Sequence, residues 1–154
     1  MTKEHMLKRL NEAWLALKQS YADLADSQLS ESGVTGNWSI KDILAHVTTW
    51  EEEALKHLPV ILKGGRPRRY SAEYGGIDAF NAMMTKHKAG LALSDVLQQL
   101  DEIHSRLLDY VQRAPEEQFT RETRFRRRLR LDTYSHYPKH ANAIQKWREG
   151  RSSR

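Results

Sequence analysis

Large apolar residues return at alternating steps of three and four along four long stretches of this chain. A chain so patterned buries its hydrophobic surface by packing helix against helix. Between Lys3 and Asp26 the stripe is Leu7, Leu10, Trp14, Leu17, Tyr21 and Leu24. A second runs through Ile40, Ile43, Leu44, Val47, Trp50, Ala54 and Leu58, and a third through Val96, Leu97, Leu100, Ile103, Leu107, Leu108 and Val111. The fourth, from about Asp132 to Arg148, carries Tyr134, Tyr137, Ala141, Ile144 and Trp147. No segment shows the strict alternation of a half-buried strand. The expected fold is all-α, an antiparallel four-helix bundle forming a single domain over 1–149, followed by a flexible C-terminal tail at 150–154.

The boundaries are marked chemically. Ser39 followed by Asp42 is close to a capping box, with Trp38 placed as a hydrophobic staple. Gly33 and Gly36 break the connection before it, and the helix ends near Pro59 or at Gly64-Gly65. From Lys63 to Gly76, four glycines, Pro67 and three arginines predict a long loop after the second helix, able to cover one end of the bundle. A short extra helix is expected over Ile77–Lys88, with Phe80, Met83 and Met84 inward, and Ser94 as the cap of the next. Pro138 removes a backbone donor inside the last helix, so that helix begins near Ser135 or tolerates a kink.

Composition narrows the function. The 154 residues are 39% hydrophobic and 29% charged, with no cysteine, so thiolate ligands, disulfides and a cysteine nucleophile are excluded. There is no Gly-x-Ser-x-Gly elbow and no phosphate-binding glycine loop. No apolar run approaches the roughly 18 residues of a membrane helix, and the N-terminus lacks the apolar core of a secretion signal, so a cytoplasmic protein without membrane contact is expected. The net charge of +5 is local: Arg121 to Arg130 holds six arginines and Glu122, and the remainder sums to zero. Clustered arginines suit phosphates, or they form a solvated connection pairing with acids on adjacent helices or on a second subunit. Phe125 is the only aromatic there to stack a base, which favours the second reading and sets nucleic acid aside as a partner.

Three histidines carry the chemistry. His136 and His140, four residues apart, share one helical face and could hold a single ion, and His46 could close the set from a neighbouring helix. His46 lies on the inward stripe between Ile43 and Trp50, where a buried imidazole needs a hydrogen bond or a metal. His5, His57, His87 and His104 are expected at the surface, although His104 could face the bundle.

The segment Asn37-Trp38-Ser39-Ile40-Lys41-Asp42-Ile43-Leu44-Ala45-His46-Val47-Thr48-Thr49-Trp50-Glu51, with His136-Tyr137-Pro138-Lys139-His140-Ala141-Asn142-Ala143-Ile144-Gln145-Lys146-Trp147, resembles the DinB/YfiT-like superfamily of metal-binding four-helix bundles, most closely its ClbS/DfsB branch. The resemblance covers nearly the whole chain. It implies one divalent metal on His46, His136 and His140, zinc or nickel among the candidates, and a homodimer. It also implies a choice among thiol-dependent transfer, isomerisation and hydrolysis of a reactive cyclopropane. Lys139 departs from the pattern, since relatives often carry an acid there.

Three imidazoles leave at least one coordination position open, as in catalytic zinc sites. Donor type favours zinc over nickel or iron without separating them. The expected function is therefore a metal-dependent enzyme acting on a small reactive or toxic molecule, as a hydrolase or as an S-transferase using a low-molecular-weight thiol. The alternative is a non-catalytic bundle that binds a partner or nucleic acid through Arg121–Arg130. Glu51, Asn81 and Tyr137 are weak catalytic candidates: Glu51, with Glu52 and Glu53, as a base or as an ordinary solvated face, and Asn81 and Tyr137 as substrate-orienting or packing groups. Trp50 walls the site or simply fills the core.

Overall fold

A computed structural model describes residues 1–152. Four long helices form the bundle: α1 (Lys3–Tyr21), α3 (Ile40–Leu62), α6 (Leu93–Arg113) and α8 (Tyr137–Ser152). Between them lie α2 (Asp26–Leu29), α4 (Tyr70–Glu73), α5 (Ile77–Lys88) and α7 (Arg124–Asp132). The expected helical bundle is the observed fold. α3 is its axis, packed against α5, α6 and α7, while α1 lies along α8.

The apolar stripes become one core. Met6, Leu10, Trp14, Leu17 and Tyr21 line the inner face of α1, so that Met6 takes the first inward position while Leu7 is half-buried. Ile40, Ile43, Leu44, Val47, Ala54 and Leu58 meet Val96, Leu100, Leu107 and Val111 across the α3–α6 contact. Each fully buried leucine among them contributes roughly 1.5–3 kcal/mol relative to exposure. Met83 and Met84 are only half-buried, leaving Phe80 as the inward anchor of α5.

The caps explain where α3 starts and stops. Ser39 Oγ accepts from the Asp42 amide at 3.1 Å and Asp42 Oδ2 accepts from the Ser39 amide at 3.0 Å, the reciprocal bonds of a capping box. The helix runs through Pro59 to Leu62, and Gly64, at φ +86°, then turns the chain in the left-handed conformation favoured by glycine. At α6 the cap falls on Ala92 rather than Ser94, which lies inside the first turn.

Two expectations about the second half of the chain are corrected. The arginine run is a helix, α7, because Phe125 and Leu129, four apart, both reach the core while the arginines between them point elsewhere. The last helix then begins at Tyr137, later than Asp132 and close to the alternative start near Ser135 that Pro138 suggested, after a turn in which the His136 and Tyr137 amides both donate to the Thr133 carbonyl at 2.8 Å. Pro138 consequently sits in the first turn, where the amide it lacks has no helical partner to lose, and no kink is required. At the other end α8 continues through Ser152, past the expected tail boundary at Gly150, and the rest of that tail lies outside the described residues. The 63–76 loop contains α4, which brings Tyr70 inward against Trp50 and Phe80. No helix among the described residues is long and apolar enough to cross a membrane.

Candidate metal centre

α3, the turn before α8, and α8 each contribute one imidazole to a single point. His46 Nε2 lies 3.1 Å from His136 Nε2, which lies 3.0 Å from His140 Nε2. One ligand atom from each ring falls within 4.8 Å of the other two. His136, one position outside the helix, still converges with His140 because the turn is tight. Trp38, expected as a staple residue, also packs its ring on His46, with centroids 4.9 Å apart.

The donor set fits a divalent ion. Nitrogens at about 2.0–2.1 Å from one ion stand roughly 2.9–3.3 Å apart, between right-angled and tetrahedral arrangements, and the two separations that involve His136 fall in that range. A neutral ring facing two others can donate its one N–H to only one of them, whereas a cation satisfies all three lone pairs. Burial pushes each imidazole down, His46 to about 3, His136 to about 2 and His140 to about 4. His140 and Lys88 add to the effect at His46, the other two histidines and Lys139 at His136, and Lys139 at His140. The three rings are therefore neutral at ordinary pH, the form that ligates metal. His136 Nδ1 is buried without a hydrogen-bond partner among the described residues, so its orientation is held by packing and by the turn.

Beside the three rings opens a cleft of about 480 Å³. Trp50 and Asn81 form one wall, with Trp50 Nε1 donating to Asn81 Oδ1 at 2.9 Å. Ile77 and Leu131 are exposed apolar residues at its edge. Arg128 and Asp132, one turn apart on α7, complete it: Arg128 Nε donates to Asp132 Oδ2 at 2.6 Å, and its NH2 to the Tyr70 hydroxyl at 2.8 Å. The Tyr70 hydroxyl donates in turn to Glu53 at 3.0 Å. Burial pushes the Asp132 carboxyl up to about 6, against the pull of Arg128 and with the help of Glu53 and Glu51.

Of the candidates for catalysis, Asn81 lines this cleft and Glu51 and Tyr137 do not. Glu51 is fully buried rather than on a solvated face. Its Oε2 meets His104 Nδ1 at 2.8 Å and accepts from the Tyr137 hydroxyl at 3.1 Å. His57 is buried beside Glu53 and not at the surface where it was expected, and His104 takes the inward alternative, stacked on Trp14 with ring centroids 3.6 Å apart. His5 and His87 are exposed. Trp50 is both core aromatic and cleft wall. Lys139 is exposed and borders the cleft. Sequence reasoning missed Tyr70, Arg128 and Asp132; the one available signal was the i, i+4 spacing of Arg128 and Asp132, which has meaning only once their segment is helical.

A helical bundle with three convergent imidazoles at the side of a cleft is the class that this architecture defines. The chain belongs to the DinB superfamily, whose sequence profile matches residues 9–142. Its fold is also that of solved ClbS/DfsB proteins. The colibactin self-resistance protein ClbS, solved in complex with a double-stranded DNA, is 16% identical with a TM-score of 0.78 over 94% of each chain. DfsB, a sibling lethal factor precursor, is 15% identical with a TM-score of 0.79, over 98% of this chain and 97% of its own. An uncharacterised protein from Escherichia coli UTI89 is 15% identical with a TM-score of 0.80, over 98% and 95%. No curated protein matches the sequence. The ClbS complex corrects the expectation that set nucleic acid aside: a protein of this fold is found on duplex DNA.

Proposed function

We propose that this chain is a divalent-metal-dependent enzyme that acts on a small reactive or toxic molecule in the cleft beside His46, His136 and His140, by hydrolysis or by transfer to a low-molecular-weight thiol. The observation that carries this reading is the convergence of three neutral imidazoles on one point at the wall of a cavity of small-molecule size. Zinc is favoured by the all-nitrogen donor set, with nickel and iron as alternatives. An ion held by His46, His136 and His140 would supply Lewis acidity at this wall of the cleft. Trp50, Ile77 and Leu131 offer apolar surface to a substrate, and Asn81, whose Oδ1 accepts from Trp50, has its amide nitrogen for orientation. Asp132, with a carboxyl near 6, can hold or release a proton at its carboxylate oxygen close to neutral pH.

The test is metal content per chain on untagged protein, wild type beside His46→Ala, followed by assays of hydrolysis and thiol transfer on electrophilic probes. Near one divalent ion per chain, lost with the substitution, supports the reading. No ion after incubation with zinc and nickel removes it.

A second reading, binding of duplex DNA, is favoured by one contact. Arg124 donates to the Gly65 carbonyl at 3.0 Å and to that of Gly64 at 3.4 Å, drawing the loop with exposed Arg66, Arg68 and Arg69 onto α7, whose Arg127 is also exposed. Two basic segments, distant in sequence, are thereby brought into contact, and the DNA complex of ClbS supports this use of the fold. Fluorescence anisotropy of a labelled duplex at two salt concentrations tests it, since phosphate contacts weaken steeply with salt.

A further inference from the structure

Arg128 is built into the cleft wall with two of its three guanidinium nitrogens engaged. Nε donates to Asp132 Oδ2 at 2.6 Å and Nη2 to the Tyr70 hydroxyl at 2.8 Å. The guanidinium carbon lies 5.9 Å from the Trp50 ring centroid and 5.7 Å from that of Tyr70, so two aromatic faces border the group. Nη1 has no hydrogen-bond partner among the described residues. Both N–H groups of Nη1 and one of Nη2 therefore remain as donors on a residue that lines the same cavity as the three imidazoles.

We propose that the cleft takes a small organic substrate bearing a carboxylate, anchored bidentately on the remaining donors of Arg128. A carboxylate matches paired guanidinium donors in spacing and in charge. Asp132 and Tyr70 fix the plane of the guanidinium beforehand, so little side-chain entropy remains to be lost on binding. Asp132 offsets the charge of Arg128, and Glu53 stands behind Tyr70, where it faces His57; Lys139 restores a positive field at the cleft border. Recognition therefore rests on the geometry of the guanidinium donors more than on bulk attraction. The apolar part of the substrate would lie against Trp50, Ile77 and Leu131, with its reactive group toward the histidines.

This inference rests on reading the cleft as a substrate site, and its test separates the two. Benzoate and benzamide, which share shape and differ in charge, are titrated calorimetrically into the protein as isolated and after chelator treatment. The expected result is at least about tenfold tighter binding of benzoate in both preparations, because the preference comes from Arg128 and not from an ion. Arg128→Gln should abolish the preference. Arg128→Lys, which keeps the charge for Asp132 and loses the paired donors, should reduce it several-fold while the far-ultraviolet spectrum is unchanged. Equal affinity for the two probes, or an undiminished preference in Arg128→Lys, overturns the proposal. A preference confined to the metal-loaded protein overturns it as well, while leaving the metal site intact; binding of neither probe removes the cleft as a substrate site altogether.

Discussion

His46, in the middle of α3, and His136, in the turn that precedes α8, bring their Nε2 atoms to 3.1 Å although 90 positions separate them. A pair of neutral imidazoles gains little from such an approach, and a cation shared with His140 gains much. Metal added to the apo protein should therefore raise its melting temperature. At a free ion concentration one hundred times the dissociation constant the gain is about 2.7 kcal/mol, or roughly 5–10 °C for a chain of this size. A thermal scan with zinc and then nickel reads this directly, with His136→Ala and His140→Ala expected to show no shift.

Glu51 is held in the core by two bonds to one oxygen, from His104 and Tyr137. Burial pushes its carboxyl up while both partners pull it down. Removing one partner leaves a buried carboxyl group with a single bond. Tyr137→Phe should cost about 1–3 kcal/mol, the cost of leaving a buried polar group without its partner. His104→Ala, which also loses the stack on Trp14 and leaves a cavity in the core, should cost on the order of 3–5 kcal/mol. Urea unfolding measures both. Metal content in Tyr137→Phe should match the wild type, since Tyr137 supports the bundle without lining the cleft.

The helices were legible because their stripes are long: α3 and α6 follow the expected faces nearly residue for residue, and the Ser39–Asp42 box fixes the start of α3. The three histidines were legible for a related reason, since one lies on a buried stripe and two at helical spacing. What the pattern could not give was α7. Arg124 to Asp132 contains only Phe125, Leu129 and exposed Leu131 as apolar residues, too few to announce a helix, and its burial comes from docking on α3. Because α7 reads as a connection in the sequence, the cleft residues that it supplies, Arg128 and Asp132, went unseen. Glu51 was misplaced for a different reason: its partners lie 53 and 86 positions away, and no local pattern reports them.

The two basic segments make a prediction independent of the metal. Replacing Arg66, Arg68, Arg69 and Arg127 together with glutamine should weaken duplex DNA binding and flatten its dependence on salt, by roughly one unit of slope for each phosphate no longer neutralised. Chelator should change neither quantity. Anisotropy titrations across a salt series provide the check, and an unaltered slope would place any DNA-binding surface elsewhere on the bundle.

Asp132 predicts a pH dependence with a definite sign. Its carboxyl, ordinarily near 3.8, is pushed to about 6 by burial, so the folded chain holds this proton more tightly than the unfolded chain does. The stability it contributes is complete below about 3.8 and is lost as pH rises through about 6. Asp132→Asn has no such proton to lose. The difference in melting temperature between wild type and Asp132→Asn should therefore move in favour of the variant between about pH 4 and pH 7 and stay constant above. Carbon-detected nuclear magnetic resonance of the carboxyl group should give a midpoint near 6. Because Arg128 pulls this carboxyl down, Arg128→Gln should raise the midpoint. A midpoint in the ordinary aspartate range would show the carboxylate to be solvated, and would remove it as a proton-transfer group at neutral pH.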